Sequence, residues 1–567
     1  MGALAVQSGG NVCMWPHSYH IPRTTGAAAA AAAKRKVNNF HTRVRRQAVI
    51  AVKPTGSADS KVKNLIWPSP SDKIPFWKRD FPSWDVSSEL PVDGEKDSDP
   101  MHVVHVTAEM APIAKVGGLG DVVTGLARAC LSRGHKVDIM LPFYECIQKQ
   151  QINELTLLTT YNSYHDGSWV PTNAYTGLVS GIPVIFIEPS NQFFKGQYIY
   201  GGSYNELEAY LFFSRACLEW MQPDIIHIHE WQTSGLPLLY WDMYHYLSLQ
   251  KPRIVLTIHN MEHYGECTYV IYLWSFIEFG MSFQFTSFHL MLPKCYCVLY
   301  QLKNLVLNTV SPTYLQETLC SGWLASTLIR NRDKYCGILN GIDTTMWNPA
   351  TDVFLPAKFS AQITAGKEIC KLFVQRGLGL VSEDISASSI SPRVPLVVCI
   401  TRLVAQKGLH LITHAITHVK ELGGQLVVLG KASDSRVERE FEALALTHNQ
   451  GSSIRILLMY SEELSHMLYA AADMVLVPSI YEPCGLAQMI GMRYGAVPIV
   501  RKTGGLADTK LPATNLVAFN FLFILFMFLM VNAEPTGWND LVRKIMEIDN
   551  SWNNTAGKYI DLYSSIR

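Results

Sequence analysis

Several short stretches of this chain set charged residues beside glycines, a combination that can grip a phosphate. In Lys115-Val116-Gly117-Gly118-Leu119-Gly120-Asp121 the glycines let the backbone approach an anion closely. The free N–H groups and dipole of a helix start favour negative charge there, and the lysine adds a point charge. The spacing matches neither the Walker loop nor the dinucleotide Gly-x-Gly-x-x-Gly pattern, and alone it reads equally well as a structural turn. In the run from Arg402 to Gly408, Arg402 and Lys407 follow an apolar strand. Two cations there could clamp a diphosphate whose charge grows as a bond to it breaks, or be plain surface charge. Tyr481-Glu482-Pro483-Cys484-Gly485-Leu486 sets a carboxylate just ahead of a helix start. Glu482 could brace an oxocarbenium-like sugar, accept from a ribose hydroxyl, or simply cap the helix. Thr503-Gly504-Gly505-Leu506 makes one more tight turn. Taken together, a glycine loop in one half faces cations and a carboxylate in the other, a layout suited to transfer from a sugar nucleotide without a metal.

The elements that must hold these loops are legible as alternating apolar strands and amphipathic helices. Residues 102–106 form a short buried strand, and a helix follows with Val122, Leu126 and Ala129 on one face before Gly134 and a strand at 136–141. Strands at 225–228 and 254–258 end in His229-Glu230-Trp231 and His259-Asn260. The alternation restarts after 381–394, with strands at 396–400, 425–429, 454–459, 474–477 and 497–500. Helices are expected between them at 408–422, 461–472 and 483–494, the last with Pro483 in its first turn. The expected fold is α/β: two doubly wound, Rossmann-like domains whose ligand loops line the cleft between them.

Length and composition agree. The 567 residues are 48% hydrophobic and 17% charged, too apolar for a disordered chain. A net charge of +1 gives no footing for a nucleic-acid partner. Twelve cysteines without a CxxC pair read as idle thiols, Cys295 and Cys297 included. Residues 1–58 hold no acid and several basic residues, the pattern of an organelle transit peptide. Residues 59–100 are Pro-rich and read as a polar linker, with Asp97-Ser98-Asp99 as solvated charge. The domains are then 101–385 and 390–548, followed by a closing helix at 549–567.

The ordered motifs resemble plant starch synthases and bacterial glycogen synthases. The matching segments run from Glu109 to Asp121, then Glu230-Trp231-Gln232, His259-Asn260-Met261 and Thr309-Val310-Ser311-Pro312-Thr313-Tyr314. They continue with Leu339-Asn340-Gly341-Ile342-Asp343, the Arg402 loop, the Glu482 loop and the stretch Arg501 to Thr509, and end with Trp552, Tyr559 and Tyr563. Val116 after the lysine is similar to the plant branch of classes III, IV and V. The resemblance implies the GT-B fold and a retaining transfer of glucose from ADP-glucose, the donor substrate, to the non-reducing end of an α-1,4-glucan. It implies no cofactor and no metal. By matching position, Lys115, Gly117 and Gly118 would cradle the phosphates, and Glu109 and Asp121 would order the glucose side. His229 would touch the transferred glucose, while Arg402 and Lys407 would neutralise the departing diphosphate. Glu482 would stand near the sugar's reacting face, with Cys484, Gly485 and Leu486 at its helix start and Thr503, Gly504 and Gly505 beside it. The implied location is the plastid, chloroplast or amyloplast, with starch-granule proteins as partners.

Two segments depart from the family pattern. Residues 268–305 are aromatic and lack the expected Lys-Gly-Gly-Ile-type strand, and 510–533 carry no charge between Lys510 and Glu534. For the apolar run 516–531 three readings compete: a translated intron, a buried strand pair, or a membrane span. The span is disfavoured because it would tear the second domain from its last helix. Ala487, where the family has a hydroxyl-bearing threonine, removes one phosphate contact. These departures motivate a second reading, a non-catalytic glucan-binding scaffold in granule initiation, against which the retained Lys115, Arg402, Lys407 and Glu482 weigh.

Overall fold

The structure, a computed structural model, describes residues 65–81, 96–201, 206–221, 223–246, 251–262, 305–322, 324–381, 394–509, 528, 530, 531 and 534–567. The leader, most of 268–305 and most of 510–533 lie outside the described residues. Residues from Leu65 onward form one compact unit.

Short, almost wholly apolar strands can be buried on both faces, and that is how parallel sheets are built here. Among the described residues the first sheet has nine strands: β1 (His102–Val106), β2 (Lys136–Pro142), β3 (Asn153–His165), β4 (Ser168–Val179), β5 (Ile182–Pro189), β6 (Ile225–His229), β7 (Arg253–Ile258), β8 (Leu305–Thr309) and β9 (Tyr335–Gly337). Their order is β3-β4-β5-β2-β1-β6-β7-β8-β9, so the chain reverses direction of winding between β1 and β6. The second sheet holds β10 (Leu396–Ile400), β11 (Gln425–Leu429), β12 (Ile454–Leu457), β13 (Met474–Val477) and β14 (Val497–Val500), ordered β12-β11-β10-β13-β14. Its switch lies between β10 and β13. Both switch points put their loops where open α/β sheets bind ligands. The antiparallel β3–β5 unit, absent from the expected alternation, extends one edge of the first sheet.

The helices that matter for the site are α1 (Gly118–Ser132), α2 (Pro312–Cys320), α3 (Leu409–Glu421), α4 (Glu462–Ala471), α5 (Leu486–Arg493) and α6 (Trp552–Ile566). Helix α5 starts three residues later than the sequence suggests. Gly485 adopts φ +80° and caps it, which leaves Pro483 outside the helix. Helix α6 carries the chain back from the second domain: Trp552, Tyr559 and Tyr563 are buried in the core of the first.

Two expectations about the stretch before β1 are corrected. Residues 65–81 are not a solvated linker, because their aromatic residues outweigh the prolines. Phe76 is buried against Phe373, ring centroids 5.9 Å apart, and Trp67 and Phe81 pack around the same ring. Asp97 is not free charge: it accepts from Arg133 Nε at 2.8 Å and Nη2 at 2.6 Å, and lies 2.9 Å from His135 Nε2. At the other end of the chain, Phe528 and Val531 of the apolar run are buried in the second-domain core. Among the described residues no helix is long and apolar enough to cross a membrane.

Removing the Phe76 ring leaves a cavity against Phe373. Phe76→Ala is expected to lower unfolding stability by about 3 kcal/mol, against little change for Asp72→Ala. Urea denaturation followed by tryptophan fluorescence checks this, and equal, small effects would return 65–81 to the status of a linker.

Candidate active site

The glycine loop is shaped by an acid. Glu109, just past β1, accepts from Val116 N at 2.9 Å and Gly117 N at 3.0 Å on one oxygen and from the Tyr200 hydroxyl at 2.7 Å on the other. The carboxylate therefore holds the loop in shape. The Gly117 N–H is likewise taken by Glu109 and does not face outward toward a phosphate. Gly118 sits where the two domains touch: a Cβ there would come 3.3 Å from Leu486 Cδ1 at the start of α5.

Lys115 is shared between the two walls of the cleft. Its Nζ lies 3.0 Å from Asp121 Oδ1 on α1, and 3.3 Å and 3.4 Å from the two oxygens of Glu462 on α4. Ser461 caps α4, its Oγ accepting from Leu464 N, and the Tyr460 hydroxyl donates to Glu462. Burial pulls the lysine pKa down, but Asp121, Glu462 and Tyr460 more than offset this and hold it above its ordinary value. Burial pushes the Asp121 carboxyl up to about 6; Lys115 opposes the rise, and Glu462 and Glu109 add to it. One cation thus serves several acids.

On the opposite wall, Lys407 Nζ lies 2.6 Å from Glu482 Oε2, which also accepts from Ser479 Oγ at 2.6 Å. Gly408, at φ +72°, packs so close to Pro478 that a Cβ would sit 2.5 Å from its carbonyl oxygen. Gln406 locks the two loops together, accepting from Ile480 N at 2.8 Å and donating to Tyr481 O at 3.3 Å. Arg402 is exposed beside Tyr481 and lowers that phenol's pKa, against a larger upward push from burial. Cys484 is buried, and burial pushes its thiol up to about 12, so it packs without acting as a nucleophile.

Thr503, Gly504 and Gly505 serve the seam between the domains. Thr503 Oγ1 and Gly504 N both donate to Glu317 Oε1 of α2 at 2.9 Å. At φ +44° Gly504 lies under the Glu482 carbonyl, where a Cβ would come within 2.0 Å of the oxygen. Ser311 Oγ donates to Pro483 O at 2.7 Å, and Thr313 donates through N and Oγ1 to Asp508, each at 2.7 Å.

His229 is corrected as a glucose contact. Its ring is fully buried, with Nε2 3.1 Å from His105 Nδ1 and Nδ1 3.1 Å from His259 Nε2. Burial lowers the pKa of every ring in this row, to about 3 for His105 and His259, so all are neutral. His259, only half-buried after β7, is the ring of this row nearest solvent. Its backbone N–H and that of Asn260 donate to Glu230 Oε1, and Glu230 itself holds φ +65°. Among the described residues, His105, His227 and His229 are close enough to share a metal ion. The set does not fit one: His227 is bonded to Tyr563 Oη and Thr257 Oγ1, both at 2.7 Å, and both nitrogens of His229 are taken.

Comparison with known proteins decides the family. Residues 102–323 match the starch synthase catalytic domain, and 381–517 match the glycosyl transferases group 1 family. Glycogen synthase from Protochlamydia amoebophila is 37% identical over 82% of this chain and 99% of its own length. The chain belongs to the starch and glycogen synthase family. Probable starch synthase 4 of Arabidopsis thaliana is 41% identical over 84% of this chain, which spans 48% of that longer protein. The solved catalytic domain of Arabidopsis starch synthase IV, bound to ADP and acarbose, superposes with a TM-score of 0.75 at 40% identity. It covers 82% of this chain and 99% of that one. Sucrose-phosphate synthase of Thermosynechococcus elongatus, at 16% identity and a TM-score of 0.51, shares the two-domain GT-B fold alone.

Within this starch and glycogen synthase fold, Glu317, Tyr460, Glu462 and Asp508 escape sequence reasoning. Glu317, Glu462 and Asp508 find partners remote in sequence, Thr503, Lys115 and Thr313, and an expected helix at 461–472 does not say what its first acid faces. The ordinary pKa of Asp121 is 3.8, and the folded value lies above it at about 6. The folded state therefore binds this proton more tightly, a contribution present below about pH 4 and lost as pH rises through about 6. Asp121→Asn cannot ionise, so its stability relative to the parent should improve by on the order of 2 kcal/mol between about pH 4 and about pH 7. Urea unfolding at both pH values checks this; a pH-independent difference sinks it.

Proposed function

We propose that this chain transfers glucose from ADP-glucose to the non-reducing end of an α-1,4-glucan, with retention, in starch synthesis. The observation that carries the reading is that Gly118 of the Lys115 loop abuts Leu486, at the start of the helix that follows Glu482, itself paired with Lys407. The donor's diphosphate would lie at the amino end of α1, between Lys115 on one wall and Arg402 and Lys407 on the other. As the bond from the sugar's anomeric carbon to the phosphate oxygen breaks, charge collects on the diphosphate and these cations stabilise it in place. Glu482, held by Lys407 and Ser479, would then face the electron-poor sugar. His229 would act from beneath, through His259. The family relatives named chloroplastic/amyloplastic and the basic leader support a plastid location.

The purified chain is expected to incorporate labelled glucose from ADP-glucose into glycogen. Intact glucan binding with no turnover would favour the scaffold reading, to which Ala487 points. Lys407→Ala should lower kcat by about 10²-fold with glucan affinity nearly unchanged, because diphosphate charge peaks in the transition state. Loss of glucan binding without loss of rate would reverse the role assigned to this lysine.

A further inference from the structure

The contact between Lys115 and Glu462 does more than hold the cleft shut. Both oxygens of Glu462 lie within 3.4 Å of the ammonium, from the wall opposite the glycine loop. Glu462 occupies the first turn of α4, where the helix dipole favours a negative charge. It is thus an anion, presented by one domain, seated on the cation that the other domain offers to a phosphate. Asp121 already neutralises that lysine at 3.0 Å. With Glu462 added, two carboxylates face one ammonium, and an incoming diphosphate meets net repulsion until one withdraws.

Glu462 has a second polar group nearby. His466 Nε2, buried and without a hydrogen-bond partner among the described residues, lies 3.9 Å from Glu462 Oε1, while Nδ1 of the same ring is 2.7 Å from Asp352 Oδ2.

We propose that Glu462 is a stand-in for the donor diphosphate on Lys115, which the donor must displace, so that this side chain sets donor affinity. The inference rests on the donor reading above and deepens it. Glu462 is a positioning residue, not a catalytic one, since it acts through Lys115.

The test is ADP binding by calorimetry to the full chain and to Glu462→Gln, with Glu463→Gln as the control for net charge. Glu463 is next in the chain but pairs with Lys78 at 2.5 Å. Glu462→Gln should bind ADP on the order of fivefold more tightly than the parent at low salt, and the control within about twofold. A fold defect cannot produce a gain in affinity, so tightening confined to Glu462→Gln supports the proposal. ADP binding to the parent with unchanged or weaker binding to Glu462→Gln overturns it while leaving the donor reading intact. Equal tightening in both variants overturns it as a general charge effect. ADP binding to none of the three proteins overturns the donor reading and this inference together.

Discussion

A single ammonium group, Lys115 Nζ, is balanced by carboxylates standing on opposite sides of one cleft, Asp121 on α1 and Glu462 on α4. Such a balance exists only if the carboxyl-end loops of two separate sheets are held at hydrogen-bonding distance. The rest of the architecture meets that requirement. Ser311 to Pro483, Thr313 to Asp508, and Glu317 to Thr503 and Gly504 stitch α2 to the loops after β13 and β14. Every one of these bonds uses a buried or half-buried partner, so loss of any one would leave a polar group unsatisfied. The seam is specific because mismatch there is costly.

Beneath the loops lies a polar layer that a hydrophobic sheet does not normally contain. His105, His227, His229 and Thr257 stand on adjacent strands and bond to each other and to the closing helix, with Asn308 linking Thr257 to Tyr559. Burial keeps the imidazoles neutral, so the layer supplies directional hydrogen bonds without buried charge. It also ties the last helix of the chain to the first domain through Tyr563 and Tyr559. The end of the sequence thereby helps position loops that begin hundreds of residues earlier.

Much of this was legible in the sequence. The apolar runs that became β1, β6, β7, β10, β11 and β13 carry their burial in their composition, and the glycine loops announce sharp turns at strand ends. The β3–β5 unit was not legible, because β3 is largely exposed and bulges shift its pairing with β4, which blurs any alternation. The 65–81 strap was misleading because its prolines and polar residues mask the few aromatic side chains that anchor it. Within the site, Lys407 and Glu482 met as their motifs suggest. Glu109 and His229 carried the right chemistry but turned inward.

Residue type and local spacing determined which atoms could bind an anion, where strands ended and where the chain could bend tightly, since these follow from backbone sterics and burial of neighbours in sequence. Tertiary structure alone decided which of those groups still faced the cleft. A carboxylate or imidazole bonds to whatever donor or acceptor lies within about 3 Å, and that neighbour is chosen by packing between distant segments. Glu109 found two loop amides, His229 found two more histidines, and Glu462, unmarked in the sequence, found the lysine.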